Sequence, residues 1–162
     1  MADKDRLTGM TTDQYLRSDL DNEIQRARRF NRELAFILFE PRLDDAARSD
    51  MLYTILKGLG RTIDPVIRDI DISVRWGQQV LLVLPETGRT GAETVQSKIV
   101  EKFTQLTFSH PESGLAVAVD LRSVILIFPH DGSDKETLLY NLREQMQAQA
   151  STEDSSAAET SA

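Results

Sequence analysis

The sequence contains no cysteine. That excludes disulfides, thiol nucleophiles and Cys-based zinc or iron–sulfur sites, and it suits a reducing compartment. Histidine occurs only as His110, before Pro111, and His130, before Asp131-Gly132; neither has the neighbours of a metal-ligand spacing. Positive charge is in deficit: 19 Lys+Arg against 26 Asp+Glu leave a net charge of −7 on 162 residues. Such a chain lacks the surplus cation on which phosphate-backbone or anionic-membrane binding runs, so nucleic acid is not an expected partner. No apolar run approaches the roughly 20 residues of a membrane span. The polar start Met1-Ala2-Asp3-Lys4-Asp5 has no leader character, so neither export nor membrane insertion is expected, and the expected location is cytoplasmic. Gly-x-Gly-x-x-Gly, Walker-type and Gly-x-Ser-x-Gly loops are also missing.

What remains is one domain's length with strong apolar periodicity. Tyr15, Leu16, Leu20, Ile24, Ala27 and Phe30 fall at helical spacing, with Thr11 and Gln14 as a capping box. Leu52, Ile55, Leu56, Leu59, Ile63, Val66 and Ile67 mark a second helix, ended or kinked at Pro65. Ala92, Val95, Ile99, Phe103 and Leu106 mark a third, boxed by Thr90 and Glu93. Leu138, Leu139, Leu142 and Met146 mark a fourth, opened by Ser133 and Glu136. Between them lie continuous apolar runs of strand length at 35–39, 80–84, 115–119 and 124–128, which suggest strands covered on both faces. The segment Ile72-Ser73-Val74-Arg75-Trp76 alternates instead, and Gly77-Gln78 joins it to the next run as a hairpin. A second hairpin is expected through Asp120-Leu121-Arg122-Ser123. The order α-β-α-β-β-α-β-β-α predicts an α+β fold: a mixed, antiparallel-rich, five-stranded sheet flanked by helices. Residues 1–146 form this domain. Residues 147–162 hold no large apolar side chain and are expected to be a disordered acidic tail.

The order and several local words resemble the GGDEF (diguanylate cyclase) domain. Asp5-Arg6-Leu7-Thr8-Gly9-Met10 is similar to the family's opening DxLTGL. Arg28-Arg29 and then Leu34-Ala35-Phe36-Ile37-Leu38-Phe39-Glu40 resemble its basic helix end and first strand. Asp71 to Gly77 and Leu82 to Thr87 resemble the strands that enter and leave the signature hairpin, and Phe128-Pro129-His130-Asp131-Gly132 the turn before the last helix. The resemblance spans about residues 5–146 and implies a nucleotidyl-cyclase-like fold.

The departures carry the functional expectation. In an active member, two carboxylates of the first strand and one of the hairpin hold divalent metal, which offsets triphosphate charge and activates a 3′-hydroxyl. Here Glu40 stands at the first position and Arg42, a cation, at the second. The hairpin reads Gly77-Gln78-Gln79, with amides in place of acids. The family's guanine-recognising loop is reduced to Leu43-Asp44-Asp45-Ala46-Ala47-Arg48. The resemblance therefore implies a vestigial cyclase site, no catalytic residue, no bound metal or cofactor, and no enzyme activity. Family members also carry an inhibitory Arg-x-x-Asp site before the signature strand. Arg68-Asp69-Ile70-Asp71 occupies that place; its Arg could bind guanine bidentately and its Asp could accept from guanine N–H groups. The same spacing recurs at Arg42…Asp45 and Arg61…Asp64, so position alone singles out Arg68 and Asp71.

The expected function is a non-catalytic regulatory binding module in bacterial signalling, with cyclic di-GMP as ligand through Arg68 and Asp71. The alternative is a protein–protein interaction scaffold without nucleotide binding. Family domains usually follow a sensor or receiver domain; none is expected before Asp5, so input is expected from a protein partner, from a homodimer or from the ligand. Arg26, Arg28, Arg29 and Arg32 cluster at the end of the first helix, either as a solvated face complementing the helix dipole or as an anion or partner contact.

Overall fold

Apolar residues on alternate positions of the strands are buried on both sides of one sheet, and this sets the architecture. The computed structural model describes residues 3–160, apart from the side chains of Asp45, Arg48 and residues 150–160. The elements are α1 (Gln14–Ser18), α2 (Leu20–Arg29), β1 (Leu34–Arg42), α3 (Asp45–Ile63), β2 (Ile72–Trp76), β3 (Gln79–Pro85), α4 (Arg89–Thr104), β4 (Phe108–Ser109), β5 (Ala116–Val117), β6 (Asp120–Phe128) and α5 (Lys135–Thr160). Strands β2-β3-β1-β6 form an antiparallel sheet, with Ile37 opposite Leu82 on one side and Ile125 on the other. On one face Leu34, Phe36 and Leu38 of β1 pack with Leu20 and Ile24 of α2 and Leu138 and Leu142 of α5. On the other, Ala35, Ile37 and Phe39 pack with Ile55, Leu56 and Leu59 of α3 and Ile99 and Phe103 of α4. Covering both faces explains why the strands read as unbroken apolar runs. Each fully buried phenylalanine, Phe36 and Phe39 among them, contributes about 1.5–3 kcal/mol of burial free energy.

The α+β class with helices around an antiparallel sheet stands; the strand count does not. The sheet has four strands, and the fifth expected run, 115–119, supplies only β5, paired with β4 in a separate two-stranded ribbon. Leu115 is exposed. The second hairpin is absent, because Asp120-Leu121-Arg122-Ser123 continues β6 along β1, opposite Arg42-Pro41-Glu40-Phe39. The only parallel pairing among the described residues is the isolated bridge of Thr11 to Val74.

Helix starts also differ. The first helix breaks at Asp19 into α1 and α2, and Thr11 is spent on the backbone of β2: its N–H donates to the Ser73 carbonyl. No side-chain cap closes α1 or α4; α5 is capped by Asp134, whose Oδ1 accepts the Thr137 N–H at 2.8 Å. That bond pulls the Asp134 carboxyl below its usual pKa. At the other end the α5 backbone runs on as helix to Thr160, and Gln149 donates to the Ser123 carbonyl. The expectation of a tail over 147–162 falls mostly on side chains outside the described residues. Among the described residues no helix is long and apolar enough to cross a membrane.

Candidate functional site

The β2–β3 hairpin carries a candidate site at each end. Its five-residue β2 strand, at about 3.3 Å per residue, separates them by about 16 Å.

At the tip, Gly77 and Gln78 form a two-residue loop closed by the Trp76–Gln79 pair. Gly77 sits at φ +66°, at the first central position, where a type II′ hairpin turn calls for glycine. The register Phe39↔Val80 brings Glu40, the next residue of β1, beside Gln79. Glu40, Gln78 and Gln79, the positions that the resemblance assigns to the cyclase site, are therefore brought to one end of the sheet. Their charge is already satisfied from within. Glu40 Oε2 accepts from Arg42 Nε at 3.2 Å and lies 3.0 Å from Arg42 Nη2. A second cation comes from α5: Arg143 lies over the Trp76 ring, 3.5 Å from its centroid, donates to Gln79 Oε1 at 3.1 Å and to the Trp76 carbonyl at 3.4 Å. Burial lowers the Arg143 pKa, while Glu40 and Asp13 act to raise it. One carboxylate, two guanidiniums and two amides do not suit a divalent cation, which takes several hard anionic oxygens. No group of three His, Asp or Glu side chains that could hold a metal occurs among the described residues. The connection from β1 to α3 is only Leu43-Asp44, so the place of the family's guanine loop is the start of a helix.

Nearby, the Asp5–Met10 loop is closed by backbone bonds from Gly9 N–H to Asp5 O and from Asp5 N–H to Met10 O. Thr8 donates to Asp5 through hydroxyl and amide, and Arg75 pairs with it at 3.3 Å. Burial pushes the Asp5 carboxyl up, but the Thr8 bonds and Arg75 outweigh it and hold its pKa below the usual value.

At the other end, the structure brings Arg68 and Asp71 together. The Asp71 side chain is 2% exposed; its Oδ2 accepts the Arg68 backbone N–H at 2.8 Å and Nε at 3.2 Å, and its Oδ1 accepts Nη2 at 3.0 Å. The same Nη2 donates to the Pro85 carbonyl at 2.7 Å and to Thr87 Oγ1 at 2.8 Å. Hydrogen bonding to Asp71 raises the Arg68 pKa above its ordinary value. The pair is a latch tying the α3–β2 loop to the β3–α4 loop. The Arg68 side chain is still 51% exposed. It borders a groove of about 660 Å³ that also takes in Lys4, Tyr15, Asn22 and Arg26. The Tyr15 hydroxyl is buried without a hydrogen-bond partner among the described residues, and burial pushes its pKa well up.

Sequence reasoning did not single out Arg143 or Thr87. Arg143 is one arginine on an otherwise ordinary helix face, and only the docking of α5 puts it at the hairpin. His110, paired with Asp50, and His130, paired with Glu33, lie outside both ends.

The family model described as "Diguanylate cyclase, GGDEF domain" matches residues 2–155. Among solved structures, the GGDEF domain of YfiN (TpbB) from Pseudomonas aeruginosa is 18% identical, with TM-score 0.78 over 90% of this chain and 87% of that one. The coiled coil and GGDEF domain of DgcB from Caulobacter crescentus, in complex with c-di-GMP, is 11% identical, with TM-score 0.78 over 92% and 81%. The diguanylate cyclase SiaD from Pseudomonas aeruginosa, in complex with its activator SiaC, is 19% identical, with TM-score 0.74 over 93% of this chain and 58% of that one. Identities this low speak to the fold alone. No curated protein matches. The hairpin, its neighbouring strand end and the Arg-x-x-Asp turn occupy the order that the family model spans almost end to end, and the chain belongs to the diguanylate cyclase GGDEF-domain family.

Proposed function

We propose that this domain is a non-catalytic GGDEF module that works by binding, in the cytoplasm of a bacterial cell. The observation that carries the reading is the pair of guanidiniums, Arg42 and Arg143, at the hairpin end. A divalent ion about 4 Å from one guanidinium meets about 8 kcal/mol of repulsion at an effective dielectric near 20. The carboxylates at this end are already paired, Glu40 with Arg42, Asp5 with Arg75 and Asp13 with Arg17, and do not offset that.

In its sharper form the ligand is cyclic di-GMP, taken at Arg68 beside the 660 Å³ groove. Half-exposed Arg68 keeps guanidinium surface toward solvent, and Lys4 and Arg26 add cation to the same groove. The DgcB domain, a relative in fold, is itself known in complex with c-di-GMP. A second reading, a protein-binding scaffold without nucleotide, draws on two observations. The Arg68–Asp71 latch is already closed, and Asp19, Glu23, Asp64 and Asp69 also line the groove, a poor lining for phosphodiesters. SiaD, with its activator SiaC, is a fold relative that engages a protein partner.

Two measurements separate these readings. Incubation with GTP and Mg²⁺ or Mn²⁺ is expected to yield no product above a protein-free blank; product overturns the non-catalytic reading. Calorimetric titration with cyclic di-GMP is expected to release heat that Arg68→Ala abolishes. Absence of heat at high micromolar ligand leaves the scaffold, and equal binding by the variant moves the site away from Arg68.

A further inference from the structure

A second groove, of about 380 Å³, opens where the end of α2 meets the α3–β2 and β3–α4 loops. Its floor is apolar, from Ala27, Leu34 and Pro85, and its walls include Phe30 and Ile70. Phe30 is 60% exposed and Ile70 52%. Helical spacing places Phe30 on the apolar stripe of the first helix, yet the helix ends one residue earlier and leaves the ring in solvent. Large apolar side chains flanking an apolar floor are the composition of a protein-binding surface. Both non-glycine residues at positive φ among the described residues, Asn31 (54°) and Glu86 (53°), sit in the two turns that border it. Asn tolerates this left-handed backbone, whereas it is uncommon for Glu86.

The rim identifies the occupant. Arg26 and Arg32 line the groove, and Arg29 packs its guanidinium 5.6 Å from the Phe30 ring centroid. The opposing acids are Glu23, 3.7 Å from Arg26, and Glu86, 3.6 Å from Arg32. Those pairs are long and the arginines exposed, so each contributes little and yields readily to an incoming carboxylate. With Arg29 beside Phe30, the rim carries three guanidiniums against two carboxylates, an excess of one cation in a chain of net charge −7. The chain's own residues 147–162 offer carboxylates but no apolar anchor.

We propose that this groove docks a segment of another protein in which a large apolar side chain is flanked by Asp or Glu. The apolar side chain fills the space between Phe30 and Ile70, and the flanking carboxylates replace Glu23 and Glu86 as partners of Arg26, Arg29 and Arg32. The two grooves share Glu23 and Arg26, while Phe30 and Arg32 line only this one, so the variants that test the proposal are placed there.

The test is selection of the full chain against displayed random dodecapeptides, followed by anisotropy and amide-shift mapping with the enriched peptides. The expected consensus is Leu, Phe or Trp among Asp and Glu, with shifts centred on Ala27, Phe30 and Ile70. Phe30→Asp and the double variant Arg29→Glu/Arg32→Glu are each expected to weaken binding at least about tenfold while leaving the unfolding midpoint in place, since these side chains are exposed. With Arg26→Ala, which removes the cation the two grooves share, excess cyclic di-GMP is expected to leave peptide affinity unchanged. A basic or purely polar consensus, no enrichment, or binding indifferent to both variants overturns the proposal. So does competition by cyclic di-GMP that persists with Arg26→Ala, which gives the groove to nucleotide. Self-association of the free chain that Phe30→Asp abolishes gives it to a second copy, and overturns the proposal too.

Discussion

Removing the Arg68 guanidinium with Arg68→Ala deletes its two bonds to Asp71 and its two to the β3–α4 loop. Asp71 is 2% exposed and keeps only the backbone N–H of residue 68 among the bonds described here. Hydrogen bonds to a charged group contribute about 1.5–3 kcal/mol each when buried, and a stranded buried charge costs more. Arg68 is half exposed, so solvent screens its side of the pair and water replaces part of what is lost. A net loss of about 2–3 kcal/mol follows, which for a chain of this size lowers Tm by about 5–10 °C. Asp71→Ala is expected to cost a similar amount, and the double variant less than the sum, because the second change removes a partner already lost. A coupling energy of about 1–2 kcal/mol in that cycle marks the latch. The assay is urea unfolding followed by the fluorescence of Trp76, the sole tryptophan. Additive variants, or Arg68→Ala within about 0.5 kcal/mol of the parent, would refute the reasoning. Arg68 would then be an idle surface cation, free to meet a ligand at no structural cost.

Two further outcomes follow from the hairpin end. Arg143→Ala uncovers the Trp76 ring and frees Gln79, so Trp76 emission is expected to shift to the red with a stability loss of about 1 kcal/mol. An unchanged spectrum would show that the guanidinium is not stacked in solution. The second concerns pH. Asp5 has a folded pKa held below its ordinary value, so its ionised form favours the fold above that ordinary value, and the contribution is lost as pH falls through the folded one. The stability difference between the parent and Asp5→Asn is therefore expected to be constant near neutrality and to shrink in acid. A difference that grows in acid contradicts the sign.

Cysteine absence, the apolar runs and the order of words along the chain were enough to place the helices, four of the five strands and the family. These are local or composition-level properties: a strand buried on both faces must be apolar throughout, whatever its neighbours are. The expectation that Arg42, Gln78 and Gln79 stand in place of metal-binding acids also came from the sequence, through the family resemblance. Other features were decided by contacts between distant segments. The run 115–119 has strand composition, but the partner it finds is β4, not the sheet. Thr11 has the look of a cap, but its backbone is spent on β2. Arg143 reaches the hairpin only because α5 packs across it, 64 residues along the chain from Gln79. Arg68 and Asp71 are near in sequence at any event, but whether they face a ligand or each other depends on Pro85 and Thr87, which a separate strand delivers. A side chain's partner is a property of tertiary packing, and sequence spacing reports it only when both partners lie on one element.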